Sequence, residues 1–316
     1  MNLNPQQVNS GVALTALASA AGRAVESSRP DRLIDDPLAA AFVAAATSPV
    51  PLPVRWPAPN TVLSDQEILL LHGAGYVGLR SRFCDDYLLR ACAAGVGQVV
   101  VLAAGLDSRA FRLDWPTGVR LFELDQPGVL AFKDGVLHEQ GALPRCARTV
   151  VGIDLRDDWA AALRVAGFDA DVPTVWLAEG LLQYLPADAE QALFEYIDAL
   201  SCAGSHLVIE RTANLASLAS AADGQRLREL SERTGIAMAQ LVDTQKRDDP
   251  AGWLADRGWT VTSQPVATIA ERYHRNLADQ GLPRPSALPT AVSSAVSSAS
   301  QPATPQTSTT FCCAQR

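Results

Sequence analysis

Apolar positions follow two regimes along the chain. Between residues 10 and 95 they recur at helical spacing, over Val12–Glu26 and again over the long amphipathic run Glu67–Ala94. Asp36-Pro37 reads as a cap followed by a proline in a first helical turn. Five prolines between Pro49 and Pro59 predict a loop there. From residue 96 the apolar positions contract into short continuous runs, Gln98–Ala103, Val119–Leu124, Thr149–Ile153, Thr174–Ala178 and His206–Ile209. Helical patterns such as Asp157–Ala166 and Ala187–Leu200 separate them. Strands buried on both faces of a parallel sheet, joined by helices, require this alternation.

The pattern predicts an α/β fold with a Rossmann-like, doubly wound, mostly parallel sheet. Residues 1–95 are expected to form a helical cap or lid, and residues 96–282 the sheet domain with a helical insertion at 211–257. Two late runs, Trp259–Ser263 and Val266–Ile269, are expected to supply a terminal pair of strands and bring the sheet to seven. Residues 283–316 are dominated by Ser, Thr, Pro and Ala without apolar periodicity, which predicts a disordered tail carrying the adjacent Cys312 and Cys313.

Composition narrows the partners. The 316 residues are 48% hydrophobic and 19% charged, ordinary for a chain with a sizeable core. A net charge of −8 without basic clusters argues against nucleic acid. No window approaches the roughly 18 apolar residues of a membrane helix. The small apolar run Gly11–Ala21 has no preceding Lys or Arg, so it does not read as a secretory signal. A cytoplasmic protein without a membrane partner is expected. Six cysteines without a CxxC pair predict reduced thiols and no metal site.

Ligands of an open parallel sheet bind beyond the carboxyl ends of its strands. The first run is followed there by Ala104-Gly105-Leu106-Asp107-Ser108-Arg109, and the second ends in Asp125, 20 residues past Gly105. The third leads into Asp154-Leu155 and the fourth into Glu179. A carboxylate at the tip of strand two suits the two hydroxyls of a ribose, and one after strand three can accept from the exocyclic amine of an adenine. Any one of these acids would also serve as a helix cap. Three at three successive tips point to a ligand. No G-x-G-x-x-G fingerprint and no Walker lysine accompany them. A pyrophosphate cradle is therefore missing, which argues against NAD and ATP and for an adenosine-bearing cofactor without phosphate, S-adenosylmethionine.

These segments carry a resemblance. Gln98–Leu113, Phe122-Glu123-Leu124-Asp125-Gln126-Pro127, Asp154-Leu155-Arg156-Asp157-Asp158-Trp159 and Ala178–Pro186 are similar to motifs of the leucine carboxyl methyltransferase superfamily. Within it the chain most resembles an actinobacterial branch of S-adenosylmethionine-dependent methyltransferases. The likeness extends upstream to Arg29–Pro37 and downstream to Trp253–Trp259, covering roughly residues 10–280. It implies a class I methyltransferase fold with a helical N-terminal cap, and S-adenosylmethionine as cofactor. By position it implies that Arg80, in Gly75-Tyr76-Val77-Gly78-Leu79-Arg80, holds the carboxylate of the cofactor's methionine end, with Arg82 in reserve. It likewise places Gly105 at the turn, Asp125 on the ribose, Asp154 and Leu155 at the adenine, and Glu179 at the fourth strand. Gln183, where related sequences often have Met, and His274, where they have Gly, depart from the family pattern without touching these motifs.

The expected activity is O-methylation of a small-molecule acceptor, of the kind found in secondary metabolism, by a monomer or homodimer. A carboxylate acceptor is already ionised at neutral pH and needs no general base. A hydroxyl acceptor calls for one, and His72, His274 and Tyr184 are the candidates. An alternative keeps the cofactor but uses its charge to assist a cyclisation or rearrangement without methyl transfer. A dinucleotide dehydrogenase is disfavoured by the missing glycines.

Overall fold

The computed structural model describes residues 12–211, 249–277, 279–282 and 309–316. Most of the expected helical insertion and the tail as far as residue 308 lie outside the described residues.

Among the described residues three helices precede the sheet: α1 (Val12–Ser27), α2 (Ala39–Ala45) and the long α3 (Asp65–Ala93). Helix α3 begins where its sequence offers a reciprocal cap. The Ser64 hydroxyl accepts from the Glu67 N–H, and the Glu67 carboxylate accepts from the Ser64 N–H at 2.8 Å. Strand β1 (Gln98–Leu102), helix α4 (Arg109–Arg112), β2 (Arg120–Asp125), α5 (Pro127–Glu139), β3 (Ala147–Gly152), α6 (Trp159–Val165), β4 (Thr174–Ala178), α7 (Ala187–Ala199) and β5 (His206–Arg211) follow in alternation. After them come α8 (Pro250–Ala255), β6 (Thr260–Pro265), α9 (Val266–Arg272) and β7 (Thr310–Gln315).

The seven strands form one sheet in the order β3-β2-β1-β4-β5-β7-β6. Strands β1 to β5 run parallel, and β7 runs antiparallel to both neighbours. Helices cover both faces. On one side Val99, Val101, Leu177, Val208 and Phe311 pack with Leu17 of α1 and Leu79 and Phe83 of α3. On the other Val100, Leu102, Trp176, Leu207 and Cys312 pack with Trp159 of α6 and Leu193 and Phe194 of α7. The two sets alternate along each strand, as the pleat dictates. The expected doubly wound α/β architecture is the one observed, and no helix among the described residues is long and apolar enough to cross a membrane.

Two expectations are corrected. Val266–Ile269 is not a strand. Pro265 closes β6 and caps α9, and Val266, Ile269 and Ala270 bury one helical face at spacing i, i+3, i+4. The missing strand comes from the presumed tail. Thr310–Gln315 is not disordered but occupies the slot between β5 and β6. Its buried run Phe311, Cys312, Cys313 and Ala314 alternates between the two cores, so the adjacent cysteines face opposite sides of the sheet.

Candidate active site

Strand order reverses between β1 and β4, and a cavity of about 550 Å³ opens there at the carboxyl ends of the strands. Its floor is built by the segments after β1, β2, β3 and β4: Ala103–Arg112, Asp125–Gln126, Ile153–Arg156 and Glu179–Pro186 contribute lining residues. Helix α1 supplies the roof through Thr15, Ser19 and Arg23, whose four-residue spacing places them on one helical face, and α3 supplies Arg80.

Gly105 turns the chain after β1 with φ +47°, and a Cβ there would lie 3.2 Å from the Ala16 Cβ. Both the left-handed backbone and the close approach of α1 favour glycine. Its N–H donates to Asp125 Oδ2 at 2.6 Å, and the Gln126 N–H donates to Asp125 Oδ1 at 2.7 Å. Each carboxylate oxygen keeps a further lone pair at the cavity wall, which is the requirement for receiving two neighbouring hydroxyls. Burial raises the Asp125 carboxyl above its ordinary value, against the two backbone donors that lower it.

Asp154 is more committed. Arg156 donates to it through its backbone N–H, Nε and Nη2, and Gln126 Nε2 donates at 3.0 Å. The Arg156 hydrogen bonds hold its carboxyl down at about 2. An amine received by Asp154 must displace one of these bonds, and the exposed Arg156 is the partner free to give way. Ile153 and Leu155 flank it with apolar surface suited to a flat ring.

Behind Glu179 lies a buried ionic lattice. Glu179 pairs with Arg80 Nε at 2.7 Å and accepts from Arg109 Nη2 at 2.7 Å. Arg109 also donates to Asp85 at 2.6 Å and to Asp107. Arg112 grips the same Asp85 with two bonds, at 2.6 and 2.8 Å. Asp36 accepts from Arg23 at 2.8 Å and from Ser108 at 2.6 Å, and Arg23 Nη2 reaches the Leu106 carbonyl at 2.6 Å. Burial would raise Glu179, but Arg109 and Arg80 outweigh it and hold the carboxyl below its ordinary value. The lattice ties α1, α3 and the turn after β1 into one frame.

All six expected cofactor residues, Arg80, Gly105, Asp125, Asp154, Leu155 and Glu179, line this one cavity. Arg82 does not. It lies two residues round the helix, pairs with Asp86 at 3.2 Å and has a side chain 45% exposed. Of the three base candidates only Tyr184 reaches the cavity. His72 is buried in α3, and His274 is exposed after α9 with φ +53°. The residues missed from sequence are Arg23, Asp36, Asp85, Arg109 and Glu210. Glu210 was legible, because it follows the fifth apolar run as Glu179 follows the fourth.

The residues present fit an adenosine joined to an amino acid: an acid with free lone pairs at the β2 tip, apolar walls after β3, and charged groups of both signs near β4. A seven-stranded sheet in this order, with a cavity at its switch point that fits such a group, has the architecture of a class I methyltransferase. The Leucine carboxyl methyltransferase family matches residues 16–198, and the chain belongs to that family. It is 47% identical over 281 residues to a Saccharopolyspora erythraea protein named "Putative S-adenosyl-L-methionine-dependent methyltransferase", covering 89% of this chain and 94% of that one. A protein of the same name from Mycobacteroides abscessus is 48% identical over 268 residues, 84% of this chain and 85% of its own. Among solved structures, a "putative methyltransferase" from Thermobifida fusca aligns over 95% of this chain and 94% of its own at 14% identity and a TM-score of 0.48.

Proposed function

We propose that the protein transfers the methyl group of S-adenosylmethionine to an oxygen of a small organic acceptor, a carboxylate or an acidic hydroxyl such as a phenol, of the kind found in secondary metabolism. The bound cofactor supplies an electrophilic methyl on a sulfonium. In this reading Asp125 takes the ribose hydroxyls, Asp154 and Leu155 the adenine, Gly105 the close backbone approach, and Arg80 with Glu179 the methionine end. The chain's task is to align donor and acceptor and to exclude water.

The observation that carries the oxygen assignment is the state of Tyr184. It is the one candidate base that lines the cavity, and burial raises its hydroxyl above the ordinary value while Gln183 and Thr15 hydrogen-bond it. It therefore stays protonated at neutral pH and orients rather than deprotonates. A carboxylate, already ionised at neutral pH, fits such a site better than a phenol, whose hydroxyl would call for a base.

Incubation with S-adenosylmethionine and a panel of organic acids and phenols, read by mass spectrometry, tests this. A product heavier by one methylene is expected, and mild alkali then separates a methyl ester from an ether. A product of unchanged mass would point instead to cofactor-assisted rearrangement. The cofactor residues have their own test. By calorimetry Asp125→Ala should weaken S-adenosylhomocysteine about a hundredfold, the scale of two charge-assisted hydrogen bonds. Undiminished binding would overturn the ribose assignment. Because burial raises this carboxyl from 3.8, wild-type affinity should fall on acidification at a higher pH than an ordinary aspartate produces, and the Asp125→Ala profile should be flat there.

A further inference from the structure

Glu210 at the end of β5 touches three parts of the site frame yet does not line the cavity. Strand β4 pairs with β5 as far as Ala178 opposite Ile209, so Glu210 stands one residue beyond the last paired position, level with Glu179. Its side chain is 3% exposed. Oε2 accepts from the Gly180 N–H at 2.7 Å and from Arg80 Nη1 at 3.1 Å, and Oε1 accepts from the Tyr76 hydroxyl. Burial, and then the charge of Glu210, push Tyr76 well above its ordinary value, so this hydroxyl keeps its proton to donate.

The consequence falls on Arg80. Its guanidinium is planar, so fixing two nitrogens fixes the third. Nη1 donates to Glu210 and Nε is ion-paired with Glu179 at 2.7 Å without the geometry of a hydrogen bond, which leaves Nη2, whose partner is the more distant Ser19 Oγ at 3.3 Å on the roof helix. Gly180 is fixed by the same carboxylate. It has φ +63°, and a Cβ there would sit 3.5 Å from Arg80 Nη1. The exit turn of β4 and the arginine are thus locked to each other through one buried acid.

We infer that Glu210 is a positioning residue for the cofactor's amino-acid end: it aims Arg80 Nη2 and sets the Gly180 turn without contacting the ligand. This rests on the reading that Arg80 receives the methionine-end carboxylate. Without Glu210 the long Arg80 side chain must be ordered when ligand binds, a cost that falls only on ligands that use it.

The test is calorimetry with two probes, S-adenosylhomocysteine and 5′-methylthioadenosine, which lacks the amino-acid end. Glu210→Gln should weaken S-adenosylhomocysteine about tenfold, since one charge-assisted contact and the preorganisation of Arg80 are lost. Methylthioadenosine should bind as it does to wild type. Equal loss on both probes, or loss on neither, overturns the inference. Tyr76→Phe removes only one hydroxyl from the carboxylate and covers the case in which Glu210→Gln does not fold. It should show the same selective loss, about threefold, and unchanged S-adenosylhomocysteine binding by this variant also overturns the inference. Arg80→Met separates the two levels. If it does not selectively weaken S-adenosylhomocysteine, the methionine-end reading fails; if it does while Glu210→Gln does not, the role of Glu210 alone fails.

Discussion

Deleting Thr310–Arg316 from this chain is expected to abolish cooperative folding, and Phe311→Ala alone to destabilise by about 3–5 kcal/mol in urea denaturation. Strand β7 pairs with β5 along one side and β6 along the other, six residues to each. Removing it strands the facing backbone groups of β5 and takes from β6 its one strand partner among those described. Phe311 is 1% exposed, and its ring lies 4.8 Å from that of Phe83 on α3. Past the strand, Arg316 accepts from the Gly204 N–H and donates to the Ser205 carbonyl, both at 2.9 Å, closing the sheet's lower end. The summed loss rivals the whole net stability of a typical domain, about 5–15 kcal/mol. The cysteines beside Phe311 are packing groups: burial pushes Cys312 up to about 11 and Cys313 up to about 12, so neither is a thiolate at neutral pH. A truncated chain that unfolds at the wild-type urea midpoint would refute this account.

The same strand shows where sequence reading reached its limit. Strands β1, β2, β4 and β5 were legible because each carries a run of apolar residues buried on both faces, a pattern that needs no knowledge of neighbours. The edge strand β3, where only Val151 is buried, was legible from the short apolar run Thr149–Ile153 alone. Strand β7 is just as buried, but its Phe311-Cys312-Cys313-Ala314 core follows a long stretch of Ser, Thr, Pro and Ala, and composition averaged over that stretch hid it. Val266–Ile269 failed for a different reason. A short apolar run does not reveal its period, and the deciding cue was Pro265, which ends one element and opens the next. In the site, the acids at strand tips were legible because topology alone sends them to the crevice. The arginines that hold them were not, since Arg23, Arg80, Arg109 and Arg112 converge from three helices across up to 89 positions of sequence. Only Arg80 emerged, through the family motif.

Arg109 is where that unread lattice has its largest expected effect. Arg109→Met should destabilise the fold by about 3–5 kcal/mol at neutral pH, the cost of stranding buried charge. The guanidinium serves three carboxylates at once, those of Asp85, Asp107 and Glu179, and is 3% exposed. Asp85 keeps Arg112 in the variant and Glu179 keeps Arg80, but Asp107 has no other ion pair among the described residues. The pH dependence should therefore invert. In the wild type, burial acts to raise Asp107 and Glu179, yet the neighbouring cations, Arg109 first, hold both below their ordinary values. Their contribution is present above the ordinary carboxylate range and is lost as pH falls through the lowered values. Without Arg109, Lys133, Arg112 and Arg23 still act to lower Asp107, but burial is the largest of the influences on it and is expected to prevail, raising its value above that of the unfolded chain. The variant should then gain stability as pH falls from 8 toward about 5, where the wild type does not. Urea midpoints across that interval decide it, and parallel curves would show that Asp107 is not the stranded charge. Adding Asp107→Asn to Arg109→Met should recover part of the loss and flatten the curve. Arg109→Lys should not, because one ammonium cannot reproduce a planar fork that meets three acids in fixed directions.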